Sequence, residues 1–323
     1  MAASGGVHER GTVSELLKDT TASGINKALI ATRRAGGSQA TGQVLTLVVV
    51  TDDDAHAEAV EAAVITAAEH PSRILVARCR SAAEASRLDA EIFGSGERGP
   101  GELVTLDLHG ELAEHADSVI LPLLVPDAPV VTYWPGQSPA HPADDPIGAL
   151  SQRRITDLAT AADPVASLAA RAASYAEGDT DLSWTRVTPW RSQLAAALDQ
   201  PHEEILRGSV AGEADSPSTE LLACWLQLRL GIEMERGTSG GPGLTEVRLV
   251  TKAGEIALVR TDGRLATLSA PSWPERPIAL PRRALAELIA EELRRLDPDE
   301  IYAECLAACS PTSTTANLGG TSS

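Results

Sequence analysis

The chain has 323 residues, of which 43% are hydrophobic, and 45 acids against 27 lysines and arginines give a formal net charge of −18. That length corresponds to two domains with real cores and excludes a natively disordered protein. The negative charge repels phosphate backbones and anionic bilayers, so neither nucleic acid nor a membrane is expected as a partner. Only Lys18, Lys27 and Lys252 are lysines, so the positive charge is almost all guanidinium, suited to carboxylates or phosphates in fixed geometry. No apolar run of signal-peptide length precedes Leu45, and no later segment reaches the ~18 residues needed to cross a bilayer. A cytoplasmic protein is expected. Cys79, Cys224, Cys305 and Cys309 form no CxxC pair and are too few for a disulfide scaffold, so reduced thiols are expected.

The stretches 1–19 and 310–323, rich in Ser, Thr, Gly and Ala, read as disordered tails. Between them, Ile25 and Leu29 place a helix over Ser23 to Arg34, ended by Gly36 and Gly37. The β-branched run from Val44 to Val50 reads as a strand covered on both faces. Asp52, Asp53 and Asp54 then suit a helix N-terminus, and Val60, Val64 and Ala67 form the apolar face of that helix. Further strands are expected at Arg73 to Ala77, Leu103 to Leu108 and Ala128 to Trp134, with a helix from Glu111 to Leu124. The region 20–176 is therefore an α/β domain with a mostly parallel sheet.

After the helical stretch from Pro164 to Ala176 the pattern changes. Asp179 and Asp181 cap a segment holding Trp184 and Val187, while Thr188-Pro189 predicts a helix opening at Trp190 and running to Leu198. Ser216-Pro217 opens another, which Gly231 ends. Strands at Glu246 to Thr251, Ile256 to Thr261 and Leu265 to Ala270 form an antiparallel meander, the last two joined by an Asp262-Gly263 turn. A terminal helix from Arg283 to Leu296 and a second opening at Pro298 close the domain. The region 177–309 is thus α+β.

Gly94-Ser95-Gly96-Glu97-Arg98-Gly99 matches the dinucleotide fingerprint in letters, but a strand rather than a helix follows it, so it reads as a β-β loop. Gly237 to Gly243 lacks the Lys-Ser/Thr of a phosphate loop and reads as a disordered connection. His109, Glu111, Glu114 and His115 are a conceivable zinc set without a recognised ligand spacing, and Cys305 and Cys309 read as small apolar packing residues. No nucleophile elbow, catalytic pair, cofactor motif or metal motif is found. Two Trp/Arg/Asp clusters remain, one of Trp134, Arg153, Arg154 and Asp157, the other of Asp179, Asp181, Trp184, Trp190 and Arg191. They fit either a partner interface, where Trp and Arg dominate, or a seam inside the chain where Asp caps helices and pairs with Arg.

Read together, several strings resemble one known family. They are Val44 to Val49, His109-Gly110 through Val119, Leu121-Pro122-Leu123-Leu124-Val125-Pro126-Asp127 with Trp134-Pro135, Arg153-Arg154-Ile155-Thr156-Asp157, Gly178 to Leu182 with Trp184 and Trp190-Arg191, and Leu293 to Tyr302. In order and spacing, from about Thr20 to Leu306, they are similar to the OpcA family of glucose-6-phosphate dehydrogenase assembly proteins in its actinobacterial form. The resemblance implies a non-catalytic protein that binds glucose-6-phosphate dehydrogenase and favours its active oligomer, without a cofactor. In cyanobacterial members the family is linked to redox control through cysteine, and the four cysteines here match no such pattern. From the residues alone, the competing expectation is a nucleotide- or sugar-phosphate-binding enzyme, with its ligand at the carboxyl ends of the parallel strands near Asp52 or His109.

Overall fold

The computed structural model describes residues 15–35, 43–51, 57–80, 85–93 and 101–309. Residues 1–14 and 310–323, Gly36-Gly37, Asp52 to Asp54 and the Gly94 to Gly99 segment lie outside them. The chain forms two compact units: Met1–Asp157 with Gly178–Thr180 and Arg283–Pro298, and Leu158–Glu177 with Asp181–Arg282 and Asp299–Ser323.

In chain order the first unit contains β1 (Glu15–Leu17), α1 (Ala22–Ala35), β2 (Leu45–Thr51), α2 (Ala57–Thr66), β3 (Ser72–Cys79), β4 (Arg87–Phe93) and β5 (Glu102–His109). The short helices α3 (Glu111–Glu114) and α4 (Ala116–Ile120) follow, then β6 (Val130–Trp134) and β7 (Arg153–Thr156). With β8 (Asp179–Asp181), the strands make one sheet in the order β1-β4-β5-β3-β2-β6-β7-β8. The pairs β5-β3, β3-β2, β2-β6 and β6-β7 are parallel, while β1-β4 and β4-β5 are antiparallel. Burial on both faces explains why β2 is a nearly unbroken apolar run. On one face Ile25, Ala28 and Leu29 of α1 pack with Val48, Leu75, Val104 and Leu106.

Elsewhere in this unit α2 packs against β2, β3 and a helix from near the end of the chain, α8 (Leu285–Arg294). Leu288, Ile289, Ala290 and Leu293 are buried, and Thr66 Oγ1 donates to the Ala286 carbonyl at 3.1 Å. Expected to close the second domain, this helix instead belongs to the first unit, because its apolar stripe lies against α2. The buried stripe of α2 is Ala59, Ala62, Ala63 and Thr66, one position off the expected Val60 and Val64. Small residues there let the two helices approach. Two further expectations are corrected: β1 lies inside the supposed tail 1–19, and the helix expected from Glu111 to Leu124 is two short helices and a 3-10 turn; β4 adds a strand to those expected.

The second unit contains α5 (Pro164–Ser174), α6 (Leu182–Leu198), β9 (Ile205–Gly212), α7 (Pro217–Leu230) and β10 (Met234–Thr238). Then come β11 (Leu244–Thr251), β12 (Gly254–Val259), β13 (Leu265–Ala270), β14 (Trp273–Ala279) and α9 (Glu300–Cys309). The sheet order is β10-β9-β11-β12-β13-β14, antiparallel except for β10 with β9. The expected meander is present, extended by β9, β10 and β14. Gly237, expected in a disordered connection, lies in β10. The helix expected to open at Trp190 starts eight residues earlier, with Pro189 in its interior. Asp181 caps it, accepting the Ser183 N–H at 2.8 Å, and burial of Trp184, Val187, Trp190 and Leu194 offsets the hydrogen bond that Pro189 cannot make. Cys224 of α7 and Cys309 of α9 form a disulfide, which corrects the expectation of reduced thiols; Cys79 and Cys305 are free.

Candidate functional site

In the first unit the parallel strands run outward from β2 in both directions, first to β3 and β5, then to β6 and β7. A doubly wound sheet of this order takes its ligand outside the carboxyl ends of the strands, where the order reverses, here between β2 and β6. In sequence Thr51 is followed by Asp52-Asp53-Asp54, outside the described residues, and Glu58 lies in the first turn of α2. Acids thus follow this strand in sequence where a nucleotide-binding fingerprint carries glycines. Trp134 ends β6 beside Gly148, where a Cβ would collide with the Pro142 carbonyl and crowd the indole.

Toward β5 and β4 the carboxyl ends carry an ion network. Arg78 Nη2 and Arg80 Nη2 each lie 2.8 Å from Asp107, and Arg78 also reaches Glu91 at 4.0 Å. The Asp89 carboxyl accepts the Asp19 N–H at 2.8 Å, Arg87 at 3.1 Å and Lys18 at 3.4 Å. Burial pushes its pKa up, but these donors hold it below the usual carboxylate range. His109 Nε2 lies 3.9 Å from Asp89. His115, Glu111 and Glu114 do not join it, and among the described residues no group of three or more His, Cys, Asp or Glu is placed to hold a metal. In sequence the supposed dinucleotide fingerprint, outside the described residues, falls between the antiparallel strands β4 and β5, and the next described element is a strand.

At the opposite end of β3 and β5, Glu102 takes hydrogen bonds from Arg33 and from Arg73 Nε, the latter at 3.1 Å. Burial raises the Glu102 carboxyl, and the donors Arg33 and Gln43 with the charge of Arg73 pull it below its ordinary value.

Both arginines of β7 point inward. Arg153 Nη2 donates to Glu292 of α8 at 2.5 Å and its Nη1 to the Asp297 carbonyl at 2.9 Å. Arg154 Nε donates to Asp179 at 2.5 Å and its Nη1 to the Ser151 carbonyl. Gly178 (φ +95°) allows this approach, since a side chain there would strike the Gln152 carbonyl. Asp157 is buried after the end of β7.

In the second unit, Asp181 Oδ2 accepts the Leu158 N–H at 2.9 Å in addition to capping α6. Trp184 donates through Nε1 to Asp299 at 2.8 Å, packs on Tyr302 and carries the Arg191 guanidinium 3.7 Å above its ring. Arg260 lies 5.0 Å from the centre of the Trp190 ring and donates to the carbonyls of Leu280 and Leu244. Trp134, Arg153, Arg154, Asp157, Asp179, Asp181, Trp184 and Trp190 are all between 0% and 6% exposed, and Arg191 is half-buried. A contact surface needs accessible atoms, so of the two expected roles this burial favours the seam inside the chain for those eight. The sequence pattern gave no sign of Glu292, Asp299, Tyr302 and Arg260, which complete these clusters from far along the chain.

A family model described as the glucose-6-phosphate dehydrogenase subunit N-terminal domain matches residues 63–173, and one described as the C-terminal domain of the same subunit matches residues 177–306. No curated protein matches the chain in sequence. Among solved structures, a 3-ketoreductase from Actinomadura kijaniata is 11% identical with a TM-score of 0.46, over 82% of this chain and 95% of that one. A dehydrogenase from Clostridium difficile is 7% identical with a TM-score of 0.41, over 82% and 96%. An oxidoreductase from Sinorhizobium meliloti is 13% identical with a TM-score of 0.41, over 83% and 87%. At these values none of the three bears on what this chain does.

Proposed function

This chain belongs to the OpcA family of glucose-6-phosphate dehydrogenase assembly proteins, and from that premise we propose that it binds glucose-6-phosphate dehydrogenase and favours its active oligomer without chemistry of its own. The observation that carries this reading is the pair of family matches, which together take in both halves of the chain. The protein works in the cytoplasm beside the dehydrogenase; no described helix is long and apolar enough to cross a membrane. Such a factor acts by binding the active assembly better than the inactive one, and about 1.4 kcal/mol of preference shifts that equilibrium tenfold.

Adding the purified chain to purified dehydrogenase should raise activity and shift sedimentation toward the larger species together. No change in either overturns the reading. A nucleotide- or sugar-phosphate-binding enzyme is the second reading, favoured by the doubly wound strand order and opposed by the carboxylates after β2. Saturable binding of NADP to the chain alone would support it.

A further inference from the structure

A cavity of about 280 Å³ opens at one end of the six-stranded sheet, where the β11-β12 turn, the β13-β14 turn and the segment between α6 and β9 come together. Ile256 and Ala197, both buried, line it, together with Pro271 and the half-buried Trp273. Arg276, 5.0 Å from the centre of the Trp273 ring, supports that indole. Exposed His202 and Glu203 also line it, with the hydroxyl residues Thr251 and Ser272, and the lining includes no lysine or arginine. Of the cations nearby, Lys252 pairs with Glu204 at 2.6 Å, Arg248 is held by Glu246 and Glu255 at 2.5 Å each, and Arg276 lies over the Trp273 ring. The opening is therefore mainly apolar inside and carries a carboxylate, in a chain of net charge −18. Pro274 and Pro277 remove two donors from the neighbouring edge strand β14, which disfavours recognition by strand addition there.

We propose that this cavity is a docking site for an apolar side chain of the partner dehydrogenase, flanked by a lysine or arginine that faces Glu203. The inference rests on the function proposed above. Apolar anchors in such pockets carry much of an interface's affinity, while exposed charges tune association and its salt dependence.

The test titrates full-length chain into purified glucose-6-phosphate dehydrogenase, with far-ultraviolet circular dichroism on every variant. Ala253→Trp, at an exposed turn position on the cavity lining, should obstruct the cavity and weaken binding at least about tenfold. Glu203→Lys should weaken it about threefold at low ionic strength and have no effect at high salt. If both variants fold and bind like the unaltered chain, the docking site is wrong while the functional reading survives. If the unaltered chain itself does not bind, both fall. Should Ala253→Trp misfold, Glu203→Lys decides alone. Loss of self-association, with dehydrogenase binding intact, would make a second copy the occupant and overturn the choice of partner.

Discussion

The two units solve the same packing problem with different materials. The core cluster of the first unit is aliphatic, built from Ile, Leu, Val and Ala of the sheet, α1 and α4, and the unit's charged groups are gathered into ion networks. The second unit holds four of the five tryptophans and places Trp184, Trp190 and Tyr302 in its core, with a disulfide across α7 and α9. A parallel strand covered on both sides needs β-branched residues that stack between layers. A sheet packed against a few helices is left with larger and less regular spaces, which indole and phenol rings fill.

The largest expected effect breaks the aromatic side of this contrast. Trp190→Ala should cost about 3–5 kcal/mol in chemical denaturation, because it empties a fully buried site and removes the ring beside Arg260. A stable Trp190→Ala variant that binds the dehydrogenase poorly would restore a direct contact role. On the ionic side, Arg154→Ala should cost about 3 kcal/mol or more, since it leaves Asp179 buried without its guanidinium. Replacing both residues by apolar ones should cost less than Arg154→Ala alone, and a double variant as unstable as the single one would argue against a coupled pair.

Reduction of Cys224–Cys309, or Cys224→Ser with Cys309→Ser, should lower stability by about 2–4 kcal/mol, because the bond closes a loop with a sequence separation of 85. Tryptophan fluorescence should report that loss in the second unit first. Cys305, whose thiol burial pushes up to about 12, should resist alkylation at neutral pH until the chain unfolds.

Acid gives the smallest effect and falls on the first unit. Glu102 and Asp89 titrate lower in the folded protein than in the unfolded chain, where carboxyls titrate near about 4. Their contribution is therefore complete above that range and is lost as pH falls through the folded values. Urea midpoints followed from pH 7 to pH 3 should drop for Glu102→Gln less steeply than for the unaltered chain.

Much of this architecture is legible locally. The runs that became β2, β3 and β5 announce themselves by apolar continuity, and Ser216, Pro217 and Gly231 mark both ends of α7. What escaped has physical reasons. In β4 the alternation of Leu88, Ala90 and Ile92 with Asp89 and Glu91 is masked by charges that are neutralised only in three dimensions. β9 is weakened as a signal by Gly208, whose missing side chain makes room for Met234 of β10. Arg153 and Arg154 look like surface residues until Glu292 and Asp179 are brought to them, and the partner of Cys309 lies 85 positions away.

The return of α8 to the first unit also has a consequence during synthesis. A ribosome releases the parallel strands long before Leu288, Ile289 and Leu293 exist, so α2 must wait uncovered while well over a hundred further residues are added. A nascent chain of this kind completes its earliest unit almost last, and a prematurely terminated product would display a bare apolar helix that chaperones and proteases can read as unfinished.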